Sequence, residues 1–252
     1  MSNIEKLLSR VEFESKWVEI VGNGWYEPPS EVLAYIASGK AKKPGMKVWA
    51  LEHCYFADRF PRWFGPIVSN CPHLAARQYL IGNMYVEEVE DPLIKNSHYE
   101  SLVDFAVGLG ASREEVYGYV PSMQMRLLAH YFDNIARTKP WVVAFAGVGG
   151  TEYANSAKLA ARYGMKPINS REYFANLGLG GKDLEHWDAG EAADQGDDGH
   201  GEESLNLIHK YARSAEEQME CLEAIRESVA VLHFAHDEVG RRAKEADLKA
   251  FG

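Results

Sequence analysis

One short stretch of the chain concentrates carboxylates next to a histidine. Glu87, Glu88 and Asp91 precede His98, and Pro92 lies between the acids and the histidine. On an unbroken helix Glu88 and His98 would lie about 15 Å apart along the axis, too far to share a metal ion. Because a proline ends or kinks a helix, this break could bring the two side chains together. The alternative interpretation is a solvated, acid-rich helix end.

Glu152 and Tyr153 lie in a stretch that is otherwise small and apolar. Burying a lone carboxylate there is costly unless a cation or hydrogen bonds compensate it. We therefore predict that Glu152 binds metal and takes part in catalysis, and that Tyr153 supplies radical or hydrogen-bonding chemistry. A glutamate on a helix surface and a tyrosine in the core are the alternatives.

Residues 183–201 crowd acidic residues and glycines together. Asp197 and His200 are three residues apart, so on a helix they share one face and can reach one metal ion. The glycines weaken a helix by about 1 kcal/mol each, and Asp194, Asp197 and Asp198 repel one another unless a cation lies among them. We predict that the segment is poorly ordered without metal and becomes helical when ions bind. A permanently irregular acidic loop is the alternative.

Five of these side chains supply the carboxylate and imidazole ligands that suit two iron or manganese ions in a helical bundle: Glu88, His98, Glu152, Asp197 and His200. An acid and a histidine, a glutamate 54 residues later, and a D-x-x-H pair followed by GEESLNLI occur in this order. This pattern resembles the haem-oxygenase-like di-iron oxidases and oxygenases, which belong to the TENA/thiaminase and pyrroloquinoline-quinone-synthase-like superfamily. The resemblance covers roughly residues 46–245.

The resemblance implies an all-α, haem-oxygenase-like helical bundle that forms a single domain over residues 1–252. It further implies two Fe(II) ions as cofactor, with O₂ as co-substrate. By the family pattern the five residues would be iron ligands, and Glu152 would bridge the two ions.

The chain departs from the family at one expected ligand. The family usually has H-x-x-x-D-x-x-H in its last metal helix, but Ala193 stands where the first histidine is expected. His186 could replace it if the intervening chain unwinds, although on a straight helix it would lie about 21 Å from His200. Asp194 or Glu191 could instead supply an oxygen ligand.

Helix signals run through the whole sequence. S-x-x-E capping boxes, which satisfy free amides at helix starts, begin at Ser2, Ser97, Ser112 and Ser214. The small-residue stretch of residues 140–164 is predicted to be one helix that packs closely against its neighbours. The stretch that follows Ser214 is long and amphipathic, and no alternating strand pattern is found.

Composition excludes several classes of function. The 252 residues carry a formal charge of −10 with a pI near 5.4, so no broad basic face is available for nucleic acid. Three cysteines without C-x-x-C spacing favour a reducing, cytoplasmic location. No apolar run is long enough to span a membrane. We expect a small-molecule substrate, and a homodimer is compatible with the sequence.

Our leading hypothesis is an O₂-dependent, non-haem iron enzyme acting on a small carboxylate-bearing substrate, preferably an amino acid, by desaturation, C–C cleavage or N-oxygenation. Arg126, Arg137 and Arg162 are candidate partners for the substrate carboxylate. His233 and His236 resemble a metal pair in spacing but are interpreted as packing or surface residues. The alternatives are a cofactor-free oxidase or thiaminase-like hydrolase of the same superfamily, and a non-catalytic helical binding protein.

Overall fold

The computed structural model describes residues 6–193 and 200–251, and these residues form α-helices, short 3₁₀ helices and no β-strand. The α-helices are α1 (Arg10–Tyr26), α2 (Glu31–Ala37), α3 (Lys43–Ala57), α4 (Phe60–Asn70), α5 (Leu74–Glu88), α6 (His98–Gly108), α7 (Arg113–Tyr117), α8 (Met123–Thr138), α9 (Trp141–Val148), α10 (Ala157–Arg162), α11 (Glu185–Ala193), α12 (His200–Tyr211) and α13 (Ala215–Phe251). The 3₁₀ helices are Gly149–Asn155, Arg171–Leu177 and Gly181–Leu184. The predicted all-α class is confirmed.

Helix α13 is the axis of the bundle. Its 37 residues extend about 55 Å at 1.5 Å per residue, and it packs against α1, α2, α3, α8 and α9. The side chains that face these helices recur at helical spacing and are buried, as the amphipathic pattern predicts: Leu222, Ile225, Val229, Leu232 and Val239. Burial of this face on five neighbours holds the single core together.

The predicted capping residues mark the observed helix starts. Ser97 and Ser112 accept hydrogen bonds from the backbone amides three residues later. At the start of α13, the Ser214 hydroxyl and the Glu217 carboxylate cap each other's backbone amides, which completes a capping box. The box predicted at Ser2 lies outside the described residues.

The predicted helix over residues 140–164 is interrupted. Helix α9 ends at Val148, a 3₁₀ turn follows over Gly149–Asn155, and only then does α10 begin. Two consecutive glycines favour this break because glycine is a poor helix former. Close packing by small residues is confirmed at Gly147, where a Cβ atom would lie 2.6 Å from Ile135 Cδ1.

Candidate metal centre

The break between α5 and α6 places His98 against the end of α5. Helix α5 ends at Glu88, and the chain turns back through an antiparallel bridge between Asp91 and Asn96. Helix α6 then begins at His98 itself. The Nδ1 atom of His98 lies 2.9 Å from Glu87 Oε1, and the Nε2 atom of the same ring lies 2.8 Å from Asp91 Oδ2. The chain break around Pro92 therefore brings two acids to the histidine, Glu87 from α5 and Asp91 from the turn.

Glu88, which the sequence analysis chose as the ligand, is exposed on the neighbouring face of α5. The part of its carboxylate that is desolvated, together with the charges of Glu87 and Asp58, still raises the pKa of Glu88 above its ordinary value. Consecutive residues of a helix point about 100° apart, so only one of two adjacent acids can face a given partner. The structure brings Glu87 to His98 and leaves Glu88 outside the contact.

His98 is held between two carboxylates in a largely buried position. Burial alone would lower its pKa, but the hydrogen bonds and charges of Glu87 and Asp91 outweigh burial and raise the pKa of His98 to about 9. Burial likewise opposes ionisation of Asp91, whose pKa is nevertheless lowered because it accepts hydrogen bonds from His98 and from backbone amides. Without metal, the imidazole therefore carries a proton on both nitrogens at neutral pH.

A cavity of about 180 Å³ lies beside this cluster. Its walls combine aromatic rings with candidate metal ligands that come from separate elements. The ligand candidates that line it are Glu87 of α5, His98 of α6, Glu152 of the 3₁₀ turn and His186 of α11. The apolar walls are Trp49, Phe56, Ala57, Phe60, Ile168 and Trp187.

His186 is oriented by the backbone of α6. Its Nδ1 lies 3.0 Å from the His98 carbonyl oxygen and 3.2 Å from Ser101 Oγ. A bond to a carbonyl oxygen requires a proton on Nδ1, so Nε2 is the nitrogen with a free lone pair. Burial, with nearby His53 and His98, holds the pKa of His186 well below its ordinary value. A neutral imidazole held in this way is the form that binds a metal ion.

Glu152 lines the cavity, whereas Tyr153 turns away from it. The Tyr153 hydroxyl donates to Glu202 Oε1 at 3.1 Å, and the side chain is buried. Helix α12 begins against this turn, because a Cβ atom on Gly201 would lie 2.8 Å from Tyr153 Cα. His200, the first residue of α12, therefore has its backbone next to the Glu152 turn. Asp194, Asp197 and the side chain of His200 lie outside the described part of the chain.

Two further histidines face the cavity and were not singled out as site residues by sequence reasoning. His53 of α3 and His236 of α13 both line it. Their spacing within aromatic and apolar helix faces is typical of core residues, so only the tertiary packing reveals them. His233 lies outside the cavity and contacts the Pro28 carbonyl oxygen at 3.0 Å.

The donor types around the cavity fit an iron site. Carboxylate and imidazole ligands with open positions are typical of non-haem iron, and the Nε2 atom of His186 has no hydrogen-bond partner among the described residues. Within residues 6–193 and 200–251, no group of three or more His, Cys, Asp or Glu side chains is already arranged to hold a metal ion. Binding would therefore require His98 to exchange one of its carboxylate partners for the ion.

None of the helices in the described residues is both long enough and apolar enough to cross a membrane. The three cysteines are buried and none of them lines the cavity. Burial raises the pKa of the Cys54 thiol to about 12, so it is protonated and unreactive at neutral pH.

Solved structures of low sequence identity share this fold. A heme-oxygenase-like domain of unknown function from Shewanella denitrificans is 15% identical, with 98% of this chain and 97% of that chain covered and a TM-score of 0.72. A TenA homologue from Pseudomonas syringae pv. tomato is 13% identical over 95% of this chain and 98% of that chain, with a TM-score of 0.69. A CADD-like protein of unknown function from Nostoc punctiforme has a TM-score of 0.63 at 15% identity, with coverages of 93% and 97%. The haem-oxygenase-like fold is thereby confirmed.

Sequence comparison gives the family. A stretch of 86 residues is 29% identical to 4-aminobenzoate synthase of Chlamydia muridarum and spans 34% of this chain and 35% of that protein. Residues 47–233, well over half of the chain, match the family described as iron-containing redox enzymes. The chain therefore belongs to the iron-containing redox enzyme family, within the haem-oxygenase-like superfamily that the ligand pattern predicted.

Proposed function

We propose that this protein is a non-haem iron oxidase or oxygenase that uses O₂ to oxidise a small organic substrate held in the cavity described above. The observation that carries the proposal is the convergence of Glu87, His98, Glu152 and His186 on one aromatic-walled cavity. Membership of the iron-containing redox enzyme family supports it independently. Desaturation, C–C cleavage and N-oxygenation are the reaction types we retain.

The same four residues would hold the first iron ion. Bound Fe(II) would supply the electrons that reduce O₂ and open positions for O₂ and substrate. Asp91 lies behind His98 and would accept its second N–H, which fixes the ring tautomer and orientation. Glu152 remains our proposed bridge to a second Fe(II), whose other ligands would be Asp194, Asp197 or His200.

The chain's own contribution is to orient these groups and to exclude water. Trp49 and Trp187 are each only 2% exposed, and their rings stack 5.2 Å apart at the cavity wall. A dry wall of this kind strengthens electrostatic interactions inside the site and protects reactive species from solvent. Tyr153 is placed outside the cavity, so its proposed role is restricted to holding Glu202 and the start of α12.

No unpaired cation for the substrate carboxylate predicted from the sequence lines the described cavity walls, because the protonated His98 is already paired with Glu87 and Asp91. Arg126, Arg137 and Arg162 are exposed, and none of them lines the cavity. A carboxylate-bearing substrate such as an amino acid would therefore have to bind through the iron itself. We propose that the substrate is a small molecule and that the protein has no nucleic-acid or membrane partner.

Anaerobic titration with Fe(II) tests the proposal, and the pair of adjacent acids provides a matched control. Glu87→Gln should lower iron affinity by about 10-fold or more, because the amide cannot replace a charged ligand. Glu88→Gln alters the same charge one position away and should bind iron like the wild type. Admission of O₂ to the loaded protein should then oxidise the iron. Equal iron binding by the two variants, or an iron centre inert to O₂, would refute the proposed site or chemistry.

A cofactor-free oxidase is the second candidate, because no three described donors are already arranged around a metal position. It predicts that substrate oxidation continues in the presence of a strong chelator. A thiaminase-like hydrolase would instead need a nucleophile, and none of the cysteines lines the cavity. Oxygen consumption with and without chelator separates the iron enzyme from the cofactor-free oxidase. Absence of turnover with every substrate would favour a binding protein.

A further inference from the structure

His53 and His236 form a second polar group in the cavity, apart from the metal-ligand candidates. His236 lies on α13, and its Nδ1 donates to the Leu232 carbonyl oxygen at 2.9 Å. This bond leaves Nε2 as an acceptor. His53 lies on α3 and stacks on Trp49, with ring centroids 5.5 Å apart. Neither nitrogen of His53 nor Nε2 of His236 has a hydrogen-bond partner among the described residues, although both side chains line the cavity.

The imidazole of His236 is uncharged at neutral pH. Burial lowers the pKa of His236 to about 4, although its bond to Leu232 opposes the change. A neutral imidazole offers one acceptor and one donor and brings no positive charge that could hold an anion.

The size and walls of the cavity suit one aromatic ring. An apolar cavity of about 150 Å³ accepts benzene, and this cavity measures about 180 Å³. The rings of Trp49, His53 and Phe56 lie nearly parallel, with interplanar angles of 14° and 11°. These rings form an aromatic wall of the cavity, against which a planar ligand can pack.

Charge around the cavity disfavours an anion. Glu87 and Glu152 line it, and no lysine or arginine does so among the described residues. A neighbouring cavity of about 160 Å³ contains Lys166, which is already paired with Glu172. Residues 194–199 contain no lysine or arginine in the sequence, so they bring no cation either. The protonated His98 also lines the cavity, but Glu87 and Asp91 already bind both of its nitrogens, so a carboxylate on the ligand would meet no unpaired cation among the described side chains.

We propose that His53 and His236 are specificity-determining residues that select a one-ring aromatic amine or phenol without a carboxylate, by accepting a hydrogen bond from its N–H or O–H group. This inference rests on the proposed function for the identity of the site and replaces the carboxylate-bearing substrate expected from the sequence. The two histidines would hold the polar group of the ring, while the aromatic walls hold its faces.

Calorimetric titration of the full-length protein with aniline, phenol, toluene and benzoate tests the proposal, first with chelator and then after anaerobic Fe(II) loading. Aniline and phenol should bind roughly 2- to 10-fold more tightly than toluene, the factor that one net hydrogen bond contributes. Benzoate should bind most weakly to the chelated protein. Because the first arm contains no iron, failure of the proposed iron chemistry does not affect it, and the two proposals fail separately.

Phe substitutions keep the ring volume and remove the nitrogen atoms. His53→Phe and His236→Phe should each reduce the preference for phenol over toluene, and the double variant should abolish it. His233→Phe, three residues earlier on α13 and outside the cavity, is the matched control and should leave the preference unchanged. Benzoate binding as tight as aniline binding in the chelated wild type would overturn the proposal. A phenol preference that survives in the folded double variant, or in His53→Leu combined with His236→Leu, would overturn it equally.

Discussion

The pH dependence of stability should reveal the proton that His98 shares with two carboxylates. A pKa of about 9, against an ordinary value of 6.5, corresponds to about 3 kcal/mol at about 1.4 kcal/mol for each pKa unit. The side chain is only 8% exposed, so solvent screening reduces this figure little. Because the folded-state pKa is raised, the contribution is fully present below pH 6.5 and is lost as the pH rises through about 9.

Urea unfolding of the metal-free protein between pH 6 and pH 10 measures the effect. The wild type should lose up to about 3 kcal/mol of unfolding free energy across this window, while His98→Gln, which cannot titrate, should lose much less. Asp91 acts in the opposite direction, because its lowered pKa adds stability that is lost only in acid. Subtracting the unfolding free energy of His98→Gln from that of the wild type at each pH cancels the contribution of the other titrating groups. Parallel curves for wild type and His98→Gln would refute the assignment of a doubly protonated His98 between Glu87 and Asp91.

Three other predictions concern iron and the segment around it. Glu152→Ala should lose most bound iron and keep its helical circular dichroism, whereas full iron content with unchanged turnover would remove Glu152 from the site. Gly201→Ala places a Cβ atom 2.8 Å from Tyr153 Cα and should cost about 1–3 kcal/mol of unfolding free energy, while Gly180→Ala, which meets open space, should cost less than 1 kcal/mol. Hydrogen exchange of residues 186–204 should slow when Fe(II) is added, and equal protection with and without iron would contradict metal-coupled folding; residues 194–199 of this segment lie outside the described structure.

Local sequence signals were sufficient for the helical class and for the approach of an α5 acid to His98, whereas the haem-oxygenase-like fold was expected from the family resemblance. Serine caps fixed helix starts because the cap interaction involves residues only three positions apart. The break at Pro92 was predictable for the same reason, since proline acts on its own turn of helix. His98 therefore lies beside an acid of α5, as the sequence predicted. The choice between Glu87 and Glu88 was not predictable, because it depends on which face of α5 packs against α6.

The other half of the cavity depends on contacts between distant parts of the chain. His53 and His236 are separated by most of the sequence, and each lies on a helix whose apolar pattern is typical of core. Only the packing of α3 against α13 brings them to one cavity. The same limit applied to His186, whose distance from His200 was calculated for a straight helix. In the structure His186 lines the cavity, and residues 194–199, which separate α11 from His200, lie outside the described part of the chain.

The placement of His186 leads to a prediction about the number of iron ions. If His186 is the first histidine of the family pattern H-x-x-x-D-x-x-H, then Gly190 and Ala193 occupy the aspartate and second histidine positions. Gly190 does line the cavity one turn after His186, and it offers no ligand there. Helix α11 thus supplies one donor, and a second ion would depend on Asp197 and His200.

Iron content after anaerobic loading tests this dependence. The double variant Asp197→Ala, His200→Ala should fall from two ions to one, because the donors on α5, α6 and the 3₁₀ turn are unchanged. Asp198→Ala removes one neighbouring acid and serves as the control that should retain the wild-type content. Two ions in the double variant would show that the second site does not use these residues. One ion in the wild type would show that, with Gly190 and Ala193 in place of two ligands, this chain has become a single-iron member of its family.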